Sequence, residues 1–230
     1  MQDTLFQAAT IILPMIVAIV FHEVAHGWMA RALGDPTAEE MNRLSLNPIR
    51  HVDLVGTIIL PGFLKLVGAP VFGWAKPVPV NKWRLRNPRY GMMAVAAAGP
   101  GSNLLLAGVG AILLGLLLRP YASMDDLSPL ASFAAANLFN FLMINIFLAL
   151  FNLLPIPPFD GSHIVEGLLP RGAARAYGRF RPYGFPLVIV LLIALPQLIP
   201  GFDLVGKVVL PPAQWLSDHY MALAQAVAGR

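Results

Sequence analysis

No cysteine occurs in the 230 residues. Disulfides and thiolate chemistry are therefore excluded, and any bound metal must take His, Asp or Glu ligands. Charge is scarce too: 12% of residues are charged against 57% hydrophobic, and mean hydropathy is +0.67. A soluble domain carries roughly 25% charged residues, so this composition is that of an integral membrane protein. Also missing are an internal repeat, a low-complexity tract and any loop long enough to fold alone, so residues 1–230 read as a single integral membrane domain.

The net charge of +4 and pI near 9.7 do not point to nucleic acid. Sixteen basic residues spread through a lipid-compatible chain read as topology signals for the cytoplasmic side of a cell membrane, and no nucleic-acid partner is expected. The N-terminal "MQDT" lacks the basic region of a signal peptide, so the first apolar run is expected to persist in the mature protein.

Long apolar segments are abundant: 5–33, 54–73, 90–118, 133–155 and 183–200. They predict an all-α polytopic membrane protein, a bundle of about four to six transmembrane helices. The second is broken by Pro61, Gly62, Gly68 and Pro70 and predicts a re-entrant or β-hairpin element around residues 50–85. The tail from 204 to 229 contains "AQWLSDHYMALAQAVAG", an amphipathic helix for an interface or for packing on the bundle.

Ionisable groups interrupt the first run at "FHEVAHGWMA", residues 21–30. On a helix His22 and His26 share a face, with Glu23 about 100 degrees round at its edge. This is H-E-x-x-H. Two imidazoles at that spacing clamp one zinc while the carboxylate, held off the metal, takes a proton from water. From the chain's own His and Glu frequencies such a pentad arises by chance on the order of 10⁻³ times per sequence. The plainer alternative is two hydrogen-bonded core histidines with Glu23 as an ion-pair partner. Three ionisable groups in one turn at hydrocarbon depth are costly, which favours function.

Zinc held by two histidines needs a third protein ligand and an open position. Asp53, Asp160, Glu166 and Asp203 are the candidates outside obvious solvent loops. Asp160 closes "NLLPIPPFD", where Pro155, Pro157 and Pro158 must break helical hydrogen bonding. Unwound backbone at membrane depth is tolerated where it is buried or lines a wet cavity. An ordinary helix-ending turn with Asp160 as the next N-cap is the alternative.

These residues carry a resemblance. "HEVAH", the later "NLLPIPPFDG" at 152–161, and "AAAGPGSN" at 96–103, with Gly99, Pro100 and Asn103 in a G-P-x-x-N pattern, resemble the paired motifs of the site-2 protease family, intramembrane zinc metalloproteases. "NPIRHVDLVGT" and "FGWAKPVPVN" resemble segments of its short prokaryotic form, and 230 residues leave no room for the PDZ or CBS domain that other members carry. The resemblance covers roughly residues 10–165. It implies His22, His26 and Asp160 as ligands of one Zn²⁺ and Glu23 as catalytic base, acting on a transmembrane protein or peptide substrate within or beside the lipid bilayer. Glu166 is the next candidate ligand. Asn103 and Asn152, lying in the matching motifs, are expected to bind substrate backbone or to stand behind the site, whereas Asn137, Asn140 and Asn145 suit interhelical hydrogen bonds.

If Asp160 and His26 share a zinc, the chain crosses the bilayer an even number of times between them, so 54–73 should not cross. The positive-inside rule agrees: Arg43 and Arg50 precede that segment and Lys76, Lys82, Arg84, Arg86 and Arg89 follow it, which places the site toward the cytoplasmic side. Val71, Phe72, Trp74, Val78, Val80 and Trp83 are β-formers, expected to supply either a strand edge for an unwinding substrate or a structural hairpin. His163 reads as a helix-surface or outer-shell residue, and His51 and His219 as solvated. The rival functions are an intramembrane zinc-binding transporter, which should show inverted repeats, and a non-catalytic scaffold, which should have lost Glu23 or a ligand.

Overall fold

Apolar segments in lipid must satisfy their backbone groups internally, and here they do so as helices. The computed structural model describes residues 2–66 and 73–230, among which no strand occurs. Four stretches are long and apolar enough to cross a membrane: Phe6–Ala32 within helix α1 (Gln2–Ala32), helix α2 (Pro88–Leu118), helix α3 (Pro129–Asn152), and Arg171–Leu198. The last begins as helix α5 (Arg171–Gly178), passes a tight turn at Arg181–Tyr183 and continues helically to Leu198. Of the most apolar 18-residue stretch in each, at most 33% is buried within the protein. Their remaining apolar surface, such as Leu13 and Leu105, therefore suits lipid as its solvent.

α3 stops at Asn152 because Pro155, Pro157 and Pro158 follow; each lacks an N–H, and the residue before a proline avoids helical geometry. Helix α4 (Asp160–Leu168) starts directly after them. Its Gly161 is required there, since a Cβ would collide with the Leu153 and Leu154 carbonyls.

The described part of the second apolar segment is helical, a π-turn over Leu54–Ile59 and an α-turn over Leu60–Leu66. Of the two expected forms of residues 50–85, the paired hairpin does not occur among the described residues, where Leu54–Leu66 is helical. Residues 73–81 are extended but spend their donors on neighbours. Trp74 N–H donates to Gly56 O (3.1 Å), Lys76 N–H to His51 O (2.8 Å) and Val78 N–H to Glu23 Oε2 (2.9 Å). Between and beside them stand Pro77 and Pro79, which offer no N–H to an incoming strand. Val71 and Phe72 lie outside the described residues.

The chain divides into two compact units. One comprises residues 1–18, 100–152 and 205–230. Its core sets Ala107, Ala111 and Leu114 of α2 against Ala135, Leu142 and Ile146 of α3, with Ala213 and Ala224 of helix α6 (Leu210–Ala228). Alanines let these backbones approach closely. The tail helix thus packs on α3 through its small face.

The other unit comprises residues 19–99 and 153–204. Ala30, Leu85 and Val95 form its core. Asp35, fully buried just past the end of α1, accepts from Thr37 N–H (3.1 Å) and Asn81 N–H (2.6 Å) and so pins the extended segment. His51, expected to be solvated, is buried instead, with Nε2 2.7 Å from Ser45 O. Lys76 N–H bonds the His51 carbonyl from 25 residues away, a tertiary contact that loop-like local sequence does not announce. His219 is exposed as expected.

Candidate metal centre

The H-E-x-x-H pentad lies on the last third of α1, an uninterrupted helix there, so His22 and His26 stand one turn apart with ring centroids 4.7 Å apart. Both are buried, at 7% and 9% exposure. Asp160, in the first turn of α4, completes a cluster. His22 Nε2 and His26 Nε2 lie 3.1 Å apart, and Asp160 Oδ2 lies 3.2 Å from the first and 3.4 Å from the second. The Oδ2 atom is buried and makes no well-aligned hydrogen bond.

That triangle suits a metal better than a shared proton. A proton bridges one edge of such a triangle, whereas zinc at roughly 2.0–2.1 Å from each ligand, in tetrahedral geometry, sets neighbouring donor atoms about 3.3 Å apart along every edge. The three observed edges all lie close to that value. An orphaned, buried carboxylate oxygen facing two imidazole nitrogens is the donor set zinc takes. The residues present fit the metal.

Two supports of the cluster are not visible as single residues in the sequence. His26 Nδ1 lies 2.7 Å from Val95 O; donation from Nδ1–H to that carbonyl fixes the tautomer and leaves the Nε2 lone pair for the cluster. Gly99 of α2 abuts both rings, and a Cβ there would come 2.5 Å from His26 Nε2 and 2.6 Å from His22 Cε1. The resemblance names Gly99 only as part of a pattern; its physical role is to make room for the imidazoles.

Glu23 is half-buried beside the cluster and not in it. Its Oε2 accepts the Val78 N–H, which orients the carboxylate. Glu166, the alternative ligand, is also outside the cluster, paired with Arg181. His163 lies 3.3 Å from an Arg181 nitrogen. Asn103 is fully buried and donates to Asn145 Oδ1 (2.7 Å) and Ala18 O (3.3 Å). Asn152 donates to Leu148 O of its own helix (2.9 Å). Asn140 reaches the Thr10 carbonyl of α1 (2.9 Å), an interhelical bond as expected, while Asn137 bonds back to Phe133 O.

Comparison with known proteins agrees with this chemistry. The sequence model of Peptidase family M50 matches residues 10–195. YwhC of Bacillus subtilis, named as a candidate zinc metalloprotease, is 40% identical over 204 residues, covering 86% of this chain and 89% of the relative. Rip2 of Mycobacterium tuberculosis H37Rv, named likewise, is 29% identical over 221 residues, 94% of this chain and 77% of the relative. MJ0611 of Methanocaldococcus jannaschii, again so named, is 33% identical over 147 residues, 64% of each chain. No solved structure matches the chain.

Proposed function

Because the chain belongs to peptidase family M50, the site-2 protease family of zinc metalloproteases, we propose that it hydrolyses peptide bonds of membrane-embedded or membrane-tethered proteins, with His22, His26 and Asp160 holding one Zn²⁺ and Glu23 as the base. The observation that carries this reading is the near-equilateral triangle of His22 Nε2, His26 Nε2 and Asp160 Oδ2.

Zinc, when bound, supplies Lewis-acid polarisation of the scissile carbonyl and makes the attacking water more acidic. Glu23 does the proton work. Its Oε2 is held by Val78 N–H, which leaves Oε1 to take the proton of the attacking water and to hand it to the leaving amine. Burial of the two histidines keeps bulk water from competing and strengthens every charge interaction there. Asn152 is proposed to meet substrate backbone. Asn103 is proposed to act indirectly, by holding α2, the helix that carries Gly99.

The whole chain acts in this reading as one metalloprotease domain in the cell membrane, with the site toward the cytoplasm. Two long apolar helices, α2 and α3, separate His26 from Asp160, an even number of crossings. The clusters Arg43–Arg89 and Arg171–Arg181 then fall on the cytoplasmic side. A chain without cysteine makes this testable with a clean background. Ser45→Cys should be shielded from an impermeant thiol reagent in intact cells, and Ser128→Cys should react; the reverse pattern inverts the topology.

The experiment for the activity is zinc content of the purified, detergent-solubilised protein beside cleavage of a transmembrane peptide. About one zinc per chain is expected in the wild type, lost in Asp160→Ala and kept in Glu23→Gln, which lowers cleavage about 10²–10⁴-fold. An Asp160→Ala variant that retains both zinc and cleavage would overturn the ligand assignment.

A further inference from the structure

The unit that holds the metal cluster has a second feature, outside the cluster itself. A cavity of about 510 Å³ is lined by Lys82, Arg89, Arg171, Arg175 and Arg181, with Glu166 as its one acidic residue among the described residues. Burial, with Arg181 beside it, lowers the lining His163 to about 4, so that imidazole adds no charge at neutral pH. Five cations therefore face one carboxylate.

They are not equally engaged. Arg181 is paired with Glu166, and Arg89 donates to the Gly167 and Leu169 carbonyls. These two are fixed parts of the wall. Arg171 and Arg175 have no hydrogen-bond or ion-pair partner among the described residues, are exposed, and stand four apart on α5, so their side chains share a face. A pair of unpaired guanidiniums beside a fixed cationic wall matches the geometry and charge of a phosphate.

The depth of the cavity points to the source of that phosphate. It lies at the starts of two candidate spans, at Pro88–Arg89 and at Arg171–Arg175. At 1.5 Å per residue the 31 residues of α2 and the 28 of Arg171–Leu198 can reach about 46 and 42 Å, against roughly 30 Å of hydrocarbon. Their first turns therefore extend into the headgroup layer. Two exposed aromatics stand there, Tyr90 (52%) in the first turn of α2 and Trp83 (75%) in the cavity lining, of the kind that marks that layer.

We propose that this cavity binds the phosphate headgroup of an anionic phospholipid, with Arg171 and Arg175 as its adaptable contacts and Arg89 and Arg181 as its fixed wall. α4 contributes His163, Glu166 and Gly167 to the lining and begins at Asp160, so a lipid seated there braces the helix that carries the third member of the metal cluster.

Binding can be read without proteolysis, so failure here leaves the protease reading untouched. The full-length protein is titrated in neutral detergent with cardiolipin, with phosphatidylcholine and with inorganic phosphate, and bound lipid is counted by native mass spectrometry. Cardiolipin should bind and phosphatidylcholine should not. Arg171→Gln/Arg175→Gln should weaken cardiolipin about thirty-fold, from roughly 1 kcal/mol per cation near a membrane surface. Arg171→Lys/Arg175→Lys should restore most of it, and Lys76→Gln/Arg86→Gln, equal in charge change but outside the cavity, should alter it less than about threefold. Equal loss in both glutamine pairs, or no loss in either, would overturn the site. Inorganic phosphate binding as tightly as cardiolipin would overturn the lipid as its source.

Discussion

Two groups of polar side chains, Asn103 with Asn145 and His22 with His26 and Asp160, are built oppositely. Asn103 and Asn145, both fully buried, close on each other at 2.7 Å, and Asn145 Nδ2 donates to Phe141 O at 2.8 Å. His22, His26 and Asp160 converge at 3.1–3.4 Å on one common centre, where the buried Asp160 Oδ2 makes no well-aligned hydrogen bond. A polar group that satisfies its neighbour stabilises a helix contact and needs nothing further. Acceptors that face a common centre need a cation in it. The contrast between satisfied and convergent polarity, more than burial itself, separates the packing residues from the site.

The comparison breaks most sharply at the cluster. His22→Ala or Asp160→Ala should remove zinc altogether and cleavage with it, measured by metal content and peptide turnover, while Asn145→Ala should leave zinc content unchanged. Glu23→Gln should keep the metal and lower cleavage about 10²–10⁴-fold, the span of a lost general base; loss of zinc in that variant would make Glu23 a ligand.

Gly99→Ala sharpens it next. Its Cβ would press on both imidazoles, and metal affinity should fall about 10–100-fold, as when a residue supporting a ligand is disturbed. Gly101, two residues on in the same helix, has open space where a Cβ would stand, with nothing within 4 Å. Gly101→Ala should therefore keep zinc and leave stability unchanged or raised by up to about 1 kcal/mol. A competition titration with a zinc chelator reads both.

The smallest effect belongs to the closed pair. Asn145→Ala removes the 2.7 Å partner of the Asn103 amide, which keeps only the longer bond to Ala18 O, and should cost about 1 kcal/mol, whereas replacing both asparagines by leucine should cost less than the single change. Thermal unfolding in detergent gives the ranking. A double variant worse than the single one would mean that the pair does more than satisfy itself.

How much of this is legible in sequence follows from the range of each interaction. The apolar runs and the H-E-x-x-H spacing depend on near neighbours, so the spans and the shared face of His22 and His26 can be read directly. The prolines after Asn152 likewise mark the break before Asp160. The Val95 carbonyl behind His26, the Val78 N–H on Glu23 and the Asp35 clamp on Asn81 join residues 46 to 69 positions apart, and no local pattern encodes them. Asp35 sits in "LGDPTAEE", which reads only as a helix stop. His51 escapes for the same reason: the residue that bonds its carbonyl comes 25 residues later, at Lys76. β-formers at 74–83 suggest a hairpin, yet their donors are consumed by Gly56, His51 and Glu23, and tertiary contacts decide how extended backbone is used.

The most direct measurement is X-ray absorption at the zinc edge of the purified wild-type protein. The account predicts a shell of nitrogen and oxygen only, at roughly 2.0–2.1 Å, with outer-shell scattering from two imidazoles. Zinc with one imidazole or none, or a protein that binds no zinc while still cleaving its substrate, would contradict it.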